Sequence, residues 1–145
     1  MPLLVWSAAY ELDQGIMDAT HREFADLVNR AGEAADADFL PLFDELIAHT
    51  DAHFMQENRW MHESGFPPIH CHIGEHERVL DALRNVRQMV EKGDLPIGRT
   101  AVAEMVPWFA NHAATMDTAL NFHMKRSDYT PLPDAAPATS ATSAA

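Results

Sequence analysis

Apolar residues in this chain recur every three or four positions over four long stretches, and nowhere do they alternate as a half-buried strand requires. The first stretch covers residues 16–32, where Met17, Phe24, Leu27, Val28 and Ala31 form one stripe and His21 falls on the same side. The second opens near Asp38, a candidate N-cap with Pro41 tolerated in the first turn, and runs through Phe43, Leu46, Ile47, Phe54 and Met61 to a stop at Gly65. After the connection Phe66-Pro67-Pro68, a third helix is expected over residues 69–91, ended by Gly93. The fourth starts after Pro96 or Gly98 and reaches Arg126. Four amphipathic helices with short connections predict an all-α chain folded as an antiparallel up-down-up-down four-helix bundle. Two residues break the local rules: Gly74 inside the third helix, and Pro107 inside the fourth, where it frees the carbonyl of Ala103 and predicts a kink.

The 145 residues, 47% of them apolar, suit one domain with a sizeable core. That domain is expected over residues 1–130, with an arm at 1–15 whose Trp6 and Tyr10 pack on the bundle. The arm has no basic run and reads poorly as a signal peptide. Residues 131–145 contain only Pro, Leu, Asp, Ala, Thr and Ser, and predict a disordered, flexible tail. Ten basic against 22 acidic residues give −12, a charge that repels nucleic acid and anionic membrane surfaces. No run of 18 apolar residues exists to span a bilayer. The single cysteine, Cys71, excludes a disulfide scaffold and allows a reducing compartment, so the expected location is cytoplasmic.

Nine histidines are the unusual count. His53 and Glu57 are four apart and so share a helical face, as do His72 and His76. His112 and Asp117 are five apart and share a side more loosely. With His21, the four helices offer five imidazoles and two carboxylates that can meet in the bundle core. A lone histidine on an apolar face reads as a core residue with a hydrogen-bond partner, but seven such groups exceed what a small core can satisfy. Seven ligands are too many for one tetrahedral zinc and suit two bridged ions, with imidazole plus carboxylate favouring iron. His49, His62, His70 and His123 complete no second cluster and are read as surface or supporting residues.

Three motifs then match a family. Trp6 followed by Gly15-Ile16-Met17-Asp18-Ala19-Thr20-His21, the run His53-Phe54…Glu57…Met61…Gly65-Phe66-Pro67…His72…His76, and Trp108-Phe109-Ala110-Asn111-His112…Asp117 together resemble the hemerythrins, most closely the single-domain bacterial ones. The resemblance runs from Trp6 to Arg126. It implies two iron ions with an oxo or hydroxo bridge. His72, His76 and His112 would hold one iron, His21 and His53 the other, and Glu57 and Asp117 would bridge them. It also implies reversible dioxygen binding for oxygen carriage, storage or sensing rather than an enzyme, and it admits a protein partner for oxygen delivery. The alternative is a diiron enzyme: an oxidase, a peroxidase or a nitric oxide scavenger. Ferritin-like oxidases use Glu-x-x-His pairs, and this chain has none. The family commonly has Ile where this chain has Ala113 and Leu where it has Phe109, and Pro107 before Trp108 is not part of the pattern. Phe109, Ala113 and Met116 are expected to share the inward face of His112 and to line the oxygen pocket.

Overall fold

A computed structural model describes residues 2–134. A short 3-10 turn, Ala8–Tyr10, precedes α1 (Gly15–Glu33), α2 (Asp36–Ser64), α3 (Ile69–Glu91) and α4 (Leu95–His112); a π-turn, Ala113–Asp117, then leads directly into α5 (Thr118–Arg126). The segment from Leu95 to Arg126 is thus one continuous rod, and α4 runs on through Pro107. Contacts join α1 to α2, α2 to α3, α3 to α4 and α4 to α1, which closes a four-helix bundle. No strand occurs among the described residues. No helix there is long and apolar enough to cross a membrane.

Backbone chemistry fixes the corners. The second helix begins at Asp36, not near Asp38: Ala35 occupies the cap without a side-chain bond, and both aspartates fall in the first turn, where the helix dipole favours them. Arg99 of α4 bonds the Ala34 carbonyl at 2.8 Å and Asp36 Oδ1 at 2.7 Å, so the corner is capped from outside the helix. Gly65 takes the left-handed conformation, φ 69°, that lets Phe66 N–H reach the Met61 carbonyl at 3.0 Å. Asp94 caps α4 by accepting from Ile97 N–H, so that helix starts one residue before Pro96. Gly98 is buried where α4 crosses Val90 and Phe39; a Cβ there would lie 2.5 Å from Val90 Cγ2.

Two apolar clusters fill the bundle. One holds Phe24, Phe39, Phe43, Phe54, Leu80 and Phe109; the other holds Met17, Trp60, Met61, Phe66, Leu120 and Met124. Glu57 falls between Phe54 of the first and Trp60 of the second on α2, and Asp117 between Ala113 of the first and Leu120 of the second at the other end of the chain. On α1, Met17 belongs to the second cluster and Phe24 to the first, with His21 between. The core is therefore a polar layer held between two apolar ones.

The arm lies on this bundle. Asn29 donates to the Leu4 carbonyl at 2.9 Å and accepts from Leu4 N–H at 2.8 Å. Asp18 accepts from Leu12 and Gln14 N–H, and Trp6 stacks on Tyr10, which stacks on Phe109. At the other end the first residues of the expected tail, 131–134, touch the bundle. The Leu132 carbonyl accepts from Trp60 Nε1 at 2.9 Å and from Arg59, and Asp134 pairs with Arg59 at 2.7 Å. One backbone carbonyl, one backbone N–H and one carboxylate anchor this stretch, and composition carries no signal of that. Residues 135–145 lie outside those described.

Candidate metal centre

Each helix brings its polar residues inward by its own periodicity. His53 and Glu57 stand one turn apart on α2, and His72 and His76 one turn apart on α3. His21 lies on the apolar face of α1. His112 and Asp117 need a local device, because five residues of α-helix would turn Asp117 about 140° beyond a full turn. The π-turn supplies it. Thr118 N–H bonds the Ala113 carbonyl five residues back, and the Thr118 hydroxyl reaches the same carbonyl at 2.8 Å. One extra residue in that turn returns position 117, rather than 116, to the face of His112.

All seven side chains are buried and converge. Glu57 Oε2 lies 2.8 Å from His53 Nε2 and 3.5 Å from His21 Nε2, while Oε1 lies 3.3 Å from His76 Nε2 and 3.5 Å from His72 Nε2. Asp117 divides in the same way: Oδ2 is 3.2 Å from His21 Nε2, and Oδ1 is 3.2 Å from the Nε2 atoms of both His72 and His112. Two groups result, each with its donor atoms within 4.8 Å of one another: Glu57, His72, His76, His112 and Asp117; and His21, His53, Glu57 and Asp117. Each carboxylate belongs to both groups and turns one oxygen to each.

This arrangement fits cations and fits little else. Asp117 Oδ1 and Oδ2, Glu57 Oε1, His21 Nε2 and His76 Nε2 are buried without a hydrogen-bond partner. Buried unsatisfied polar groups cost about 1–3 kcal/mol each, more when charged. His72 and His112 point their Nε2 atoms at each other across 3.2 Å, and two lone pairs so placed repel unless a proton or a metal lies between. Without a metal, protons take the role of the cation. Burial opposes protonation of His21, yet Asp117 and Glu57 together override it and hold the imidazole up to about 10. His72 is likewise raised to about 9 against burial by the same two carboxylates. Burial prevails at His76 and pushes it down. Both carboxyls sit well below their ordinary range although burial opposes ionisation: the imidazoles of His53, His21 and His72 facing Glu57, and of His112 and His21 facing Asp117, favour the ionised carboxylate.

Aromatic rings and outer polar groups orient the histidines. Phe54 stacks flat on His76, with centroids 3.9 Å apart and planes at 4°. Trp108 stacks on His112 at 4.6 Å and donates its indole N–H to Glu75. Glu75 is paired with Arg78, which with the indole bond brings its carboxyl down to about 2. Asn58 Oδ1 lies 2.8 Å from His76 Nδ1. Sequence reasoning missed Asn58 and Glu75. The available signal was position: Asn58 follows Glu57, and Glu75 lies between His72 and His76.

The other expected residues divide. Phe109 is buried with its ring edge-on to His21 at 4.9 Å and 5.0 Å from Phe24, and Ala113 is buried in the same apolar cluster. Met116 does not share their face. It is half-buried and lines a cavity of about 270 Å³ with Phe66, Pro68, Cys71, His72, Thr115 and Ala119, because the π-turn gives the inward position to Asp117. Of the remaining histidines, His62 and His70 are exposed, His123 bonds the Ser64 carbonyl, and His49 pairs with Glu23 at 3.1 Å. None of the four joins either group.

Comparison with known families agrees with this geometry. Residues 13–121 match the family described as the hemerythrin HHE cation-binding domain. A bacteriohemerythrin of Ralstonia nicotianae is 44% identical over 117 residues, covering 81% of this chain and 85% of its own. The chain belongs to the hemerythrin family. A bacteriohemerythrin of Aquifex aeolicus is 30% identical over 70% of this chain and 82% of its own, and one of Stenotrophomonas maltophilia is 26% identical over 82% and 80%. Cation binding by the hemerythrin domain thus coincides with a buried layer in which Asp117 Oδ1 and Oδ2, Glu57 Oε1, His21 Nε2 and His76 Nε2 have no hydrogen-bond partner.

Proposed function

We propose that this chain binds dioxygen reversibly at a non-haem centre of two irons. His72, His76 and His112 would hold one iron, His21 and His53 the other, and Glu57 and Asp117 would bridge them. The observation that carries this reading is the division of each carboxylate, one oxygen toward each histidine group. When bound, two ferrous ions supply the electrons that take up dioxygen and recover them on its release.

The chain's own residues determine the rest. The first group offers five protein donors and the second four, so a metal held by the second would have more room for an incoming molecule, beside His21 and His53. Phe24 and Phe109 wall that side with carbon, and Ala113 adds little bulk to it. Such a wall admits a small apolar molecule and offers it no proton donor. Five imidazoles to two carboxylates also make a poorer electron-releasing set than carboxylate-rich oxidase sites, which favours binding over oxygen activation.

The test is metal content with an absorption spectrum. The iron-loaded, reduced protein should carry two irons per chain, gain a visible band in air and lose it when the oxygen is removed. One ion per chain, or stoichiometric zinc from the native source, would overturn the two-iron centre. A band that never reverses would favour an oxidase.

A further inference from the structure

The polar contact outside the seven donors is made on a single ring. Asn58 follows Glu57 on α2, so its side chain is turned about 100° away from that of Glu57 and meets α3 instead of the centre. There Oδ1 lies 2.8 Å from Nδ1 of His76. The same ring is flat against Phe54, and its Nε2 lies 3.3 Å from Glu57 Oε1. The Nδ1 atoms of His21, His53, His72 and His112 are buried with no hydrogen-bond partner among the described residues. Among the described residues His76 is thus the one candidate ligand histidine whose far nitrogen is held by a side chain.

A neutral imidazole carries one N–H, and the nitrogen that lends its lone pair to a metal cannot be the one that carries it. We propose that Asn58 is a positioning residue: its amide oxygen accepts the Nδ1 proton of His76 and so fixes the tautomer and ring orientation that present Nε2 to the metal centre. If the amide nitrogen faced the ring instead, Nδ1 would have to accept and Nε2 would carry the proton, closing that position to a metal. Phe54 sets the plane of the ring and Asn58 sets its rotation within the plane. The effect is local to the group of His72, His76 and His112, and it gives the two halves of the centre unequal grips. This inference rests on the two-metal reading above.

The experiment compares iron-loaded wild type, Asn58→Leu and Asn58→Asp. Leucine is close in size and removes the acceptor; aspartate keeps an acceptor and adds charge. Outer hydrogen bonds of this kind change metal affinity about 10- to 100-fold. Asn58→Leu should therefore release iron to a chelator faster by that order. Asn58→Asp should hold iron at least as long as wild type, and it should lower the reduction potential, since a carboxylate on Nδ1–H makes the imidazole a stronger donor and favours the ferric ion. A packing role alone predicts the reverse order, with leucine tolerated, aspartate harmful and no shift in potential. Equal iron release by Asn58→Leu and wild type would overturn the proposal, as would release from Asn58→Asp as fast as from Asn58→Leu. If the leucine variant does not fold, an unshifted potential in the aspartate variant overturns it. Wild type carrying fewer than two irons would instead overturn the two-metal reading.

Discussion

At the scale of single residues, the sharpest contrast is between His49 and His53, one turn apart on the same helix. His53 is buried against Glu57, whereas His49 is half-buried against the exposed Glu23. The sequence pattern separated them only because His53 has a carboxylate four residues later and His49 has none. We therefore expect His53→Ala and Glu57→Ala to lose iron, since buried ligands have no cheap replacement, and His49→Ala to retain two irons by metal analysis. Full iron in Glu57→Ala would remove that residue from the bridge. Ala113 gives a second residue-scale prediction. It is buried beside the Phe24 and Phe109 cluster, where the family commonly has a branched residue. Ala113→Ile should narrow the approach to the open position, slow azide entry and prolong the absorption band raised by dioxygen. Phe109→Ala opens a cavity and should shorten it. Unchanged rates in Ala113→Ile would mean that this side chain does not line the approach.

At the scale of elements, helical periodicity carried most of the reading, and it failed where the helix is not α. His112 and Asp117 were both legible as candidates, but the placement of Met116 was wrong because an α-helical period was applied across a π-turn. Nothing in residues 113–117 marks that turn; it follows from tertiary demand for Asp117 inside the core, between His72, His112 and His21. The caps were equally mixed. Gly65 and Gly93 ended helices as expected, since both take positive φ, but the start of α2 is set by Arg99 from another helix and is invisible locally. Gly74 reads differently in context. It lies in the second turn of α3 between His72 and His76, yet it is exposed and a Cβ there would meet nothing within 4 Å. Its flexibility has no contact to serve, so Gly74→Ala should stabilise the protein by about 0.5–1 kcal/mol in urea unfolding and leave two irons bound. Loss of iron in that variant would show that the centre needs the glycine backbone.

At the scale of the molecule, the polar layer makes stability depend on what occupies it. In the metal-free protein His21 is raised to about 10 and His72 to about 9, against an unfolded value of 6.5. Between pH 6.5 and about 9 the folded state therefore holds two protons that the unfolded chain has released. Stability falls with rising pH wherever the folded state binds more protons, so both contributions fade through this window, and His21 alone continues to about pH 10. His49 and His76 are shifted down and do not offset the loss above pH 6.5. On the acid side Glu57 and Asp117 have lowered values, so their contribution is present above their ordinary range and is lost as pH falls through the folded ones. The metal-free protein should thus be most stable in mildly acidic solution, with a urea midpoint that drops from pH 6.5 to pH 9. Iron removes the dependence. Loading must displace the protons of His21 and His72, so it releases protons and tightens as pH rises, and bound metal stabilises the folded state by mass action. The iron-loaded protein should accordingly keep its midpoint across the same window. A metal-free midpoint that rises between pH 6.5 and 9 would mean that the carboxylates do not hold protons on these two histidines, and that the layer is not built to carry positive charge.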